Sequence, residues 1–188
     1  MSMNTLKPVI QQTECISGKS IKLRNVTPED AEFIISLRTD QKKCKFLSKT
    51  SNDIQKQRKW IEEYLNSEGQ AYFIITDSDH HSFGTIRMYD QQQNSFCWGS
   101  WILTENAPSH YAIESALLIY LYALHLGFDK SHFDVRKGNY SVIKFHERCG
   151  AIRTGETEQD ILYSISKDKI HAALDKFKKY LPEIVDFR

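Results

Sequence analysis

Ser109 and His110 stand at the mouth of a long apolar segment, a position from which a chain can hold a phosphate. The stretch TENAPSHYAIESALLIYLYALHLGF, Thr104 to Phe128, reads as a strand end, a short loop and a helix. The first turn of a helix leaves N–H groups unpaired and carries the positive end of the dipole, which together suit an anion. Every loop residue except Pro108 offers a backbone donor, and Ser109 and His110 add side-chain donors. The loop Glu105 to His110 contains no glycine, so close backbone approach to a phosphate is not built in. A plain N-cap at Ser109 or Pro108 on a core helix explains the same residues.

Other groupings carry less chemistry. Asp77, Asp79, His80 and His81 include metal-binding types, but a polar hairpin turn accounts for them and no metal is expected. Cys15, Cys44, Cys97 and Cys149 are scattered with no CxxC or Cys/His ligand spacing, which argues against structural zinc and fits a reduced cytoplasmic setting. Arg136 and Lys137 are two cations after a short strand; they could meet a phosphate or simply be solvated. A net charge of +1 advertises neither nucleic acid nor an anionic membrane. Met1 to Ser20 lacks the continuous apolar core of a signal peptide, and Ala116 to Phe128 is too short to cross a bilayer.

These residues need elements to position them. With 188 residues, 40% of them hydrophobic, the chain can build one domain with a sizeable core. After a polar arm at 1–19, Ile21 to Val26 alternates like a half-buried strand. Thr27-Pro28-Glu29-Asp30 then opens a helix that turns Ala31, Ile34 and Ile35 inward. A second helix near Asp53 to Asn66 places Ile54, Ile61, Tyr64 and Leu65 on one face. Ala71 to Thr76, Phe83 to Tyr89 and Ser95 to Leu103 read as three strands joined by short turns, hence as antiparallel hairpins. The long helix follows, largely core, with Ile113, Ala116, Leu117, Tyr120, Leu121 and Leu124 at helical spacing. A strand at His132 to Val135 should lie parallel to the one before the helix. Tyr140 to Cys149 forms a helix, with Asn139 as N-cap and Gly150 as terminator. Ile161 to Ser166 is a last strand, and residues 167–188 carry a basic amphipathic helix, Lys167 to Leu181, on the same domain. The order β-α-α-β-β-β-α-β-α-β with an extra C-terminal helix implies an α/β (α+β) domain, 20–166, around a single mixed central sheet flanked by helices.

This order and three stretches resemble the GNAT superfamily of acyl-CoA N-acyltransferases, in its ribosomal-protein and amino-sugar branch. Ile21-Lys22-Leu23-Arg24-Asn25-Val26-Thr27-Pro28-Glu29-Asp30-Ala31 is similar to an "LRxxTPEDA" start. Trp98-Gly99-Ser100-Trp101-Ile102-Leu103 resembles the central strand that leads into the cofactor loop. Asn139 to Ala151, NYSVIKFHERCGA, is similar to the helix motif "NxxAIxxYEKxGF".

The resemblance implies acetyl-CoA lying between two splayed strands, with backbone groups of Trp101, Ile102 and Leu103 pairing to its pantetheine as an added strand would. The family's Q/RxxGxG/A loop falls on Ala107 to Ala112, so Ser109, His110, Tyr111 and Ala112 would hold the pyrophosphate. Only Ala112 keeps the expected small residue. Asn139 matches a pantetheine-contacting asparagine. His146 stands where a tyrosine often serves as general acid for the leaving thiolate, and histidine's ordinary pKa near 6.5 suits that transfer. Relatives often carry an acid before the central strand's tryptophan; here it is Cys97. Glu62, Asp90 and Glu114 remain as conceivable bases, although an acid at 114 also simply complements the helix dipole. The implied activity is acetyl transfer to a small-molecule amine, favoured to be an amino sugar carried on a nucleotide. The alternatives are a protein N-terminal acetyltransferase of the ribosomal-protein type and a non-catalytic binding domain. A homodimer is left open.

Overall fold

The structure, a computed structural model, describes residues 7–188. Among the described residues nine strands form one sheet in the order β7-β8-β6-β5-β4-β3-β2-β1-β9. The strands are β1 Cys15–Ser17, β2 Lys22–Asn25, β3 Ala71–Thr76, β4 Ser82–Gln92, β5 Ser95–Leu103, β6 Lys130–Arg136, β7 Ile152–Glu156, β8 Asp160–Ser166 and β9 Asp186–Phe187. The helices are α1 Ala31–Thr39, α2 Ile54–Leu65, α3 Ser109–His125, α4 Tyr140–Arg148 and α5 Lys167–Lys176. The single mixed sheet flanked by helices is the expected α/β architecture.

The sheet is covered on both faces, and β3 shows why. All six of its residues are buried. Ala71, Phe73 and Ile75 join the larger core under α3, whereas Tyr72 and Ile74 join a smaller one with Ile34, Ile61 and Tyr64 of α1 and α2. Period-two alternation thus feeds two layers. α3 is enclosed, with Glu114 to Tyr120, Tyr122 and Ala123 all buried. A helix apolar all round belongs in a core.

Several elements differ from the expectation. The arm contributes β1, with Ile10 and Ile16 buried, and β1 pairs with β9 at Ile16↔Phe187. β7 is a further strand, paired to β8 and exposed along its whole length, so it has no alternation to read. On α2 the buried face is Ile61 and Tyr64, while Ile54 and Leu65 are exposed. α5 stops at Lys176, and a 3-10 turn, Lys178–Tyr180, replaces its expected last turn.

The placement of the site follows from β5 and β6. They pair in parallel at only Ser95↔Lys130 and Phe96↔Ser131. Ser131 Oγ donates to Phe96 O at 2.9 Å, closing the last rung. Beyond it β5 continues to Leu103 with no partner on that side, while β6 runs on to Arg136 paired only with β8 on its other edge. The sheet therefore opens like a V.

Candidate active site

The opening between β5 and β6 is lined from both of its strands. Trp98 to Trp101 come from β5, Phe133 to Arg136 from β6, Val142 and His146 from α4, and Arg38 and Phe46 from the segment around α1. Opposite β5, the pairs Thr85↔Ile102 and Arg87↔Gly99 leave two residues, Ser100 and Trp101, facing one, Ile86. This is a β-bulge, and Ser100 adopts φ 46°, in the left-handed region. Thr85 Oγ1 donates to Ser100 O at 2.7 Å and secures it. The bulge falls in the stretch of β5 that has already parted from β6.

Of the residues expected at a site, Trp101, Asn139 and His146 line this opening together. Trp101 Nε1 donates to Ser115 Oγ at 3.0 Å, and Ser115 Oγ to Ala112 O at 2.8 Å, so the indole is tied to the first turns of α3. Asn139 occupies the N-cap position of α4, but its side chain makes no capping bond. Its Oδ1 receives only a long contact from Ser141 Oγ, 3.4 Å, which leaves the amide turned to the opening.

His146 is buried, with its ring 4.1 Å from that of Phe133 and 5.1 Å from that of Trp98. Nδ1 has no hydrogen-bond partner. Burial pushes its pKa down to about 3, so the imidazole is neutral near pH 7. The ordinary pKa that made it suited to supply a proton is therefore absent in this environment. What it brings to the opening is a neutral ring with one unsatisfied nitrogen.

Ile102, Leu103, Ser109, His110, Tyr111 and Ala112 lie further along, past the end of the opening. Ile102 is buried and paired to Thr85. Leu103 O accepts from the Lys43 ammonium. Pro108 is the N-cap of α3, and Tyr111 N donates to Pro108 O at 2.9 Å. The N–H groups of Ser109 and His110 open the helix, where no earlier carbonyl can reach them. The Tyr111 ring packs edge-on against Phe83, 5.2 Å away, and His110 stacks edge-on against Tyr111 at 4.9 Å.

The conceivable bases resolve unequally. Glu114 is fully buried, and its Oε1 accepts from the backbone N–H groups of Lys19 at 2.5 Å, Ser20 at 2.8 Å and Ile21 at 3.4 Å. It ties α3 to the turn between β1 and β2; Gly18 is required there, since a Cβ would stand 2.4 Å from that oxygen. Asp90 accepts from or pairs with His132 Nε2 at 3.1 Å, and Glu62 is exposed on α2. Cys97 is buried, its thiol pushed up to about 12 by burial, and is no acid or base near neutrality. Arg136 pairs with Asp160 at 2.7 Å and Lys137 with Glu156 at 3.5 Å. Asp77 Oδ1 accepts from the N–H groups of Asp79 and His81, each at 2.9 Å, holding its turn together.

Sequence reasoning passed over Asp134. It lies in the opening on β6, on the face of that strand away from Phe133 and Val135, which are in the core. Asp134 is exposed on that face; desolvation by the surrounding atoms and the charge of neighbouring Asp160 raise its pKa above the usual carboxylate range. A carboxylate in an opened strand pair, shifted towards neutrality, is the mark sought in a proton acceptor. Its signal was the alternation of β6, which puts polar and apolar residues on opposite faces.

The comparisons with known proteins agree with this geometry. The acetyltransferase (GNAT) domain family matches residues 20–152, and the chain belongs to it. FdhC in its apo form, a nucleotide-linked sugar GNAT, is 41% identical; the match covers 88% of this chain and 97% of that one, with a TM-score of 0.80. YokL of Bacillus subtilis (strain 168), an SPbeta prophage-derived uncharacterized N-acetyltransferase, is 24% identical over 77% of this chain and 83% of its own. The spermidine N-acetyltransferase of Vibrio cholerae, in a structure with CoA and spermine, shares the fold at 14% identity. That match has a TM-score of 0.73 and covers 81% of this chain and 98% of that one. Among the described residues no helix is long and apolar enough to cross a membrane.

Proposed function

We propose that this chain transfers the acetyl group of acetyl-CoA to the amine of an amino sugar carried on a nucleotide. The observation that carries the reading is the V between β5 and β6, which gives a donor an unpaired strand edge to lie along and leads to His146. The residues suit acetyl-CoA: a free backbone edge for amides, Asn139 with an uncommitted side chain, and the open first turn of α3 for pyrophosphate. Ser109 and His110 supply N–H donors there in place of glycines. Bound acetyl-CoA supplies an activated acetyl group whose C–S bond breaks as the amine forms its C–N bond.

Asp134 accepts the proton that the amine must lose. A neutral ring N–H of His146 would stabilise the charge that develops on the sulfur of bound acetyl-CoA, without the ring itself being an imidazolium. Trp98, Trp101 and Phe133 keep water from that end of the opening. The likeness to the nucleotide-linked sugar GNAT supports the acceptor, because it extends over nearly the whole of both chains.

The test is twofold. Acetyl-CoA and CoA should each raise the melting temperature of the purified chain. Labelled acetyl-CoA should then acetylate a nucleotide-linked amino sugar in preference to peptides with free N-termini or to spermidine. Absence of CoA binding at millimolar concentration would overturn the enzyme reading, and preference for peptides would overturn the acceptor.

A further inference from the structure

Next to the opening lies a second cavity of about 460 Å3, which shares Arg38, Ser48, Tyr89 and Ser100 with it. Its walls include three cations, Arg38, Lys49 and Arg87, and no carboxylate among the described residues. Arg87 projects from β4 into an aromatic box, its guanidinium 5.1 Å from the Trp60 ring, 5.9 Å from Tyr72 and 4.9 Å from Tyr89. Its Nε is buried without a partner, and NH2 donates to the neutral Gln70 Oε1. Arg38 is held by neutral groups too: Nε donates to Thr50 Oγ1 at 2.6 Å, and NH2 to Ser48 Oγ at 3.2 Å. Elsewhere the pattern differs, since Arg24 and Arg136 each meet a carboxylate at 2.7 Å.

Two partly buried guanidinium groups without a counter-ion are costly. Burial lowers the pKa of Arg87, and the charge of Arg38 lowers it further, while the nearby tyrosines act in the opposite sense. The aromatic faces offset part of the cost. An anion in the cavity offsets the rest, and the unused Nε of Arg87 is a donor already desolvated for it.

We propose that Arg38 and Arg87 seat the diphosphate of the acceptor substrate. The proposal rests on the acetyltransferase reading and places the remote half of the acceptor beside the reactive half. Guanidinium forks bind phosphate oxygens in pairs, and two neighbouring forks match two linked phosphates. A sugar joined to such a diphosphate reaches through the shared wall of Tyr89 and Ser100 and presents its amine at Asp134. The same two cations repel a polyamine, so the cavity selects for an anionic acceptor and against spermidine-like ones.

The probe is inorganic pyrophosphate, titrated calorimetrically into the full chain already saturated with CoA, so that the donor's own pyrophosphate seat is filled. Binding is expected, and Arg87→Met and Arg38→Gln should each weaken it by about tenfold or more, the loss of a charge-assisted contact. Far-UV circular dichroism and the urea midpoint should match the parent in both, which certifies their folding. If Arg87→Met has lost the parent's cooperative unfolding transition, it is misfolded and Arg38→Gln decides alone. The proposal is overturned if the CoA-saturated chain does not bind the diphosphate, or if folded variants bind it as tightly as the parent. Arginine-dependent binding in a chain that acetylates no amine would uphold the subsite and sink the acetyltransferase reading instead.

Discussion

Burial of His146 makes the stability of this fold depend on acid in a calculable way. In the unfolded chain a histidine has a pKa of about 6.5. In the folded chain it is pushed down to about 3. The unfolded state therefore takes up a proton at a pH where the folded state does not, and acid favours unfolding. The sign is definite: the contribution is intact above about pH 6.5, shrinks as pH falls below it, and levels off only below the folded pKa. At pH 5 the unfolded imidazole is almost fully protonated and the folded one almost fully neutral, which amounts to about 1.5 pH units, or about 2 kcal/mol. Urea unfolding at pH 7.5 and pH 5 measures it. His146→Phe keeps a ring of similar size among Trp98, Phe133 and Tyr163 and removes the titrating group, so other groups cancel in the comparison. The parent should lose about 2 kcal/mol more than the variant between the two pH values. Equal losses in both proteins would refute the reasoning, as would an NMR titration placing the His146 pKa near 6.

Other consequences can be measured alongside. Asp134→Asn should lower kcat/KM by about a hundredfold or more, and the acid limb of the parent's pH profile should lie above the usual carboxylate range and vanish in the variant; unchanged turnover would remove Asp134 as proton acceptor. Glu114→Ala leaves the N–H groups of Lys19 and Ser20 without their carboxylate, and should cost about 2–4 kcal/mol in denaturant unfolding; a loss under about 1 kcal/mol would show that the tie is replaced by water. Ser100→Val forces a β-branched residue into the left-handed region and should cost about 1–2 kcal/mol, with weaker CoA binding as the bulge relaxes. Ser100→Gly should bind CoA as the parent does, and a variant that lost binding would mean the serine side chain, not the bulge, matters.

The sequence carried some of this structure plainly. α3 was legible because its apolar residues persist for several turns, and α4 because Gly150, at φ 96°, takes the left-handed position that ends it. The β3–β4–β5 meander was legible from alternation and short polar turns. β1 and β9 were not, having three and two residues, too few to show a period. The split of β5 from β6 was expected only through family resemblance, since nothing local in Phe96 or Ser131 marks where pairing stops. His146 could be placed on α4, but its burial depends on rings contributed by β5, β6 and β8. Arg38 and Arg87 gave no signal at all. A lone arginine in a helix and another in a strand look like solvated charges until the fold sets them at one cavity.

The pairing of β1 with β9 also bears on how the chain is made. β1 is synthesised well before its outer neighbour, Asp186–Phe187, which follows every other strand in the sheet. Until then the edge of β1 stays open, a row of unpaired amides able to recruit another strand. The anchoring of Lys19 and Ser20 by Glu114 also waits until α3 has been synthesised. Nascent chains should therefore be most prone to self-association before residue 186 emerges, and a deletion of residues 186–188 should make that vulnerability permanent.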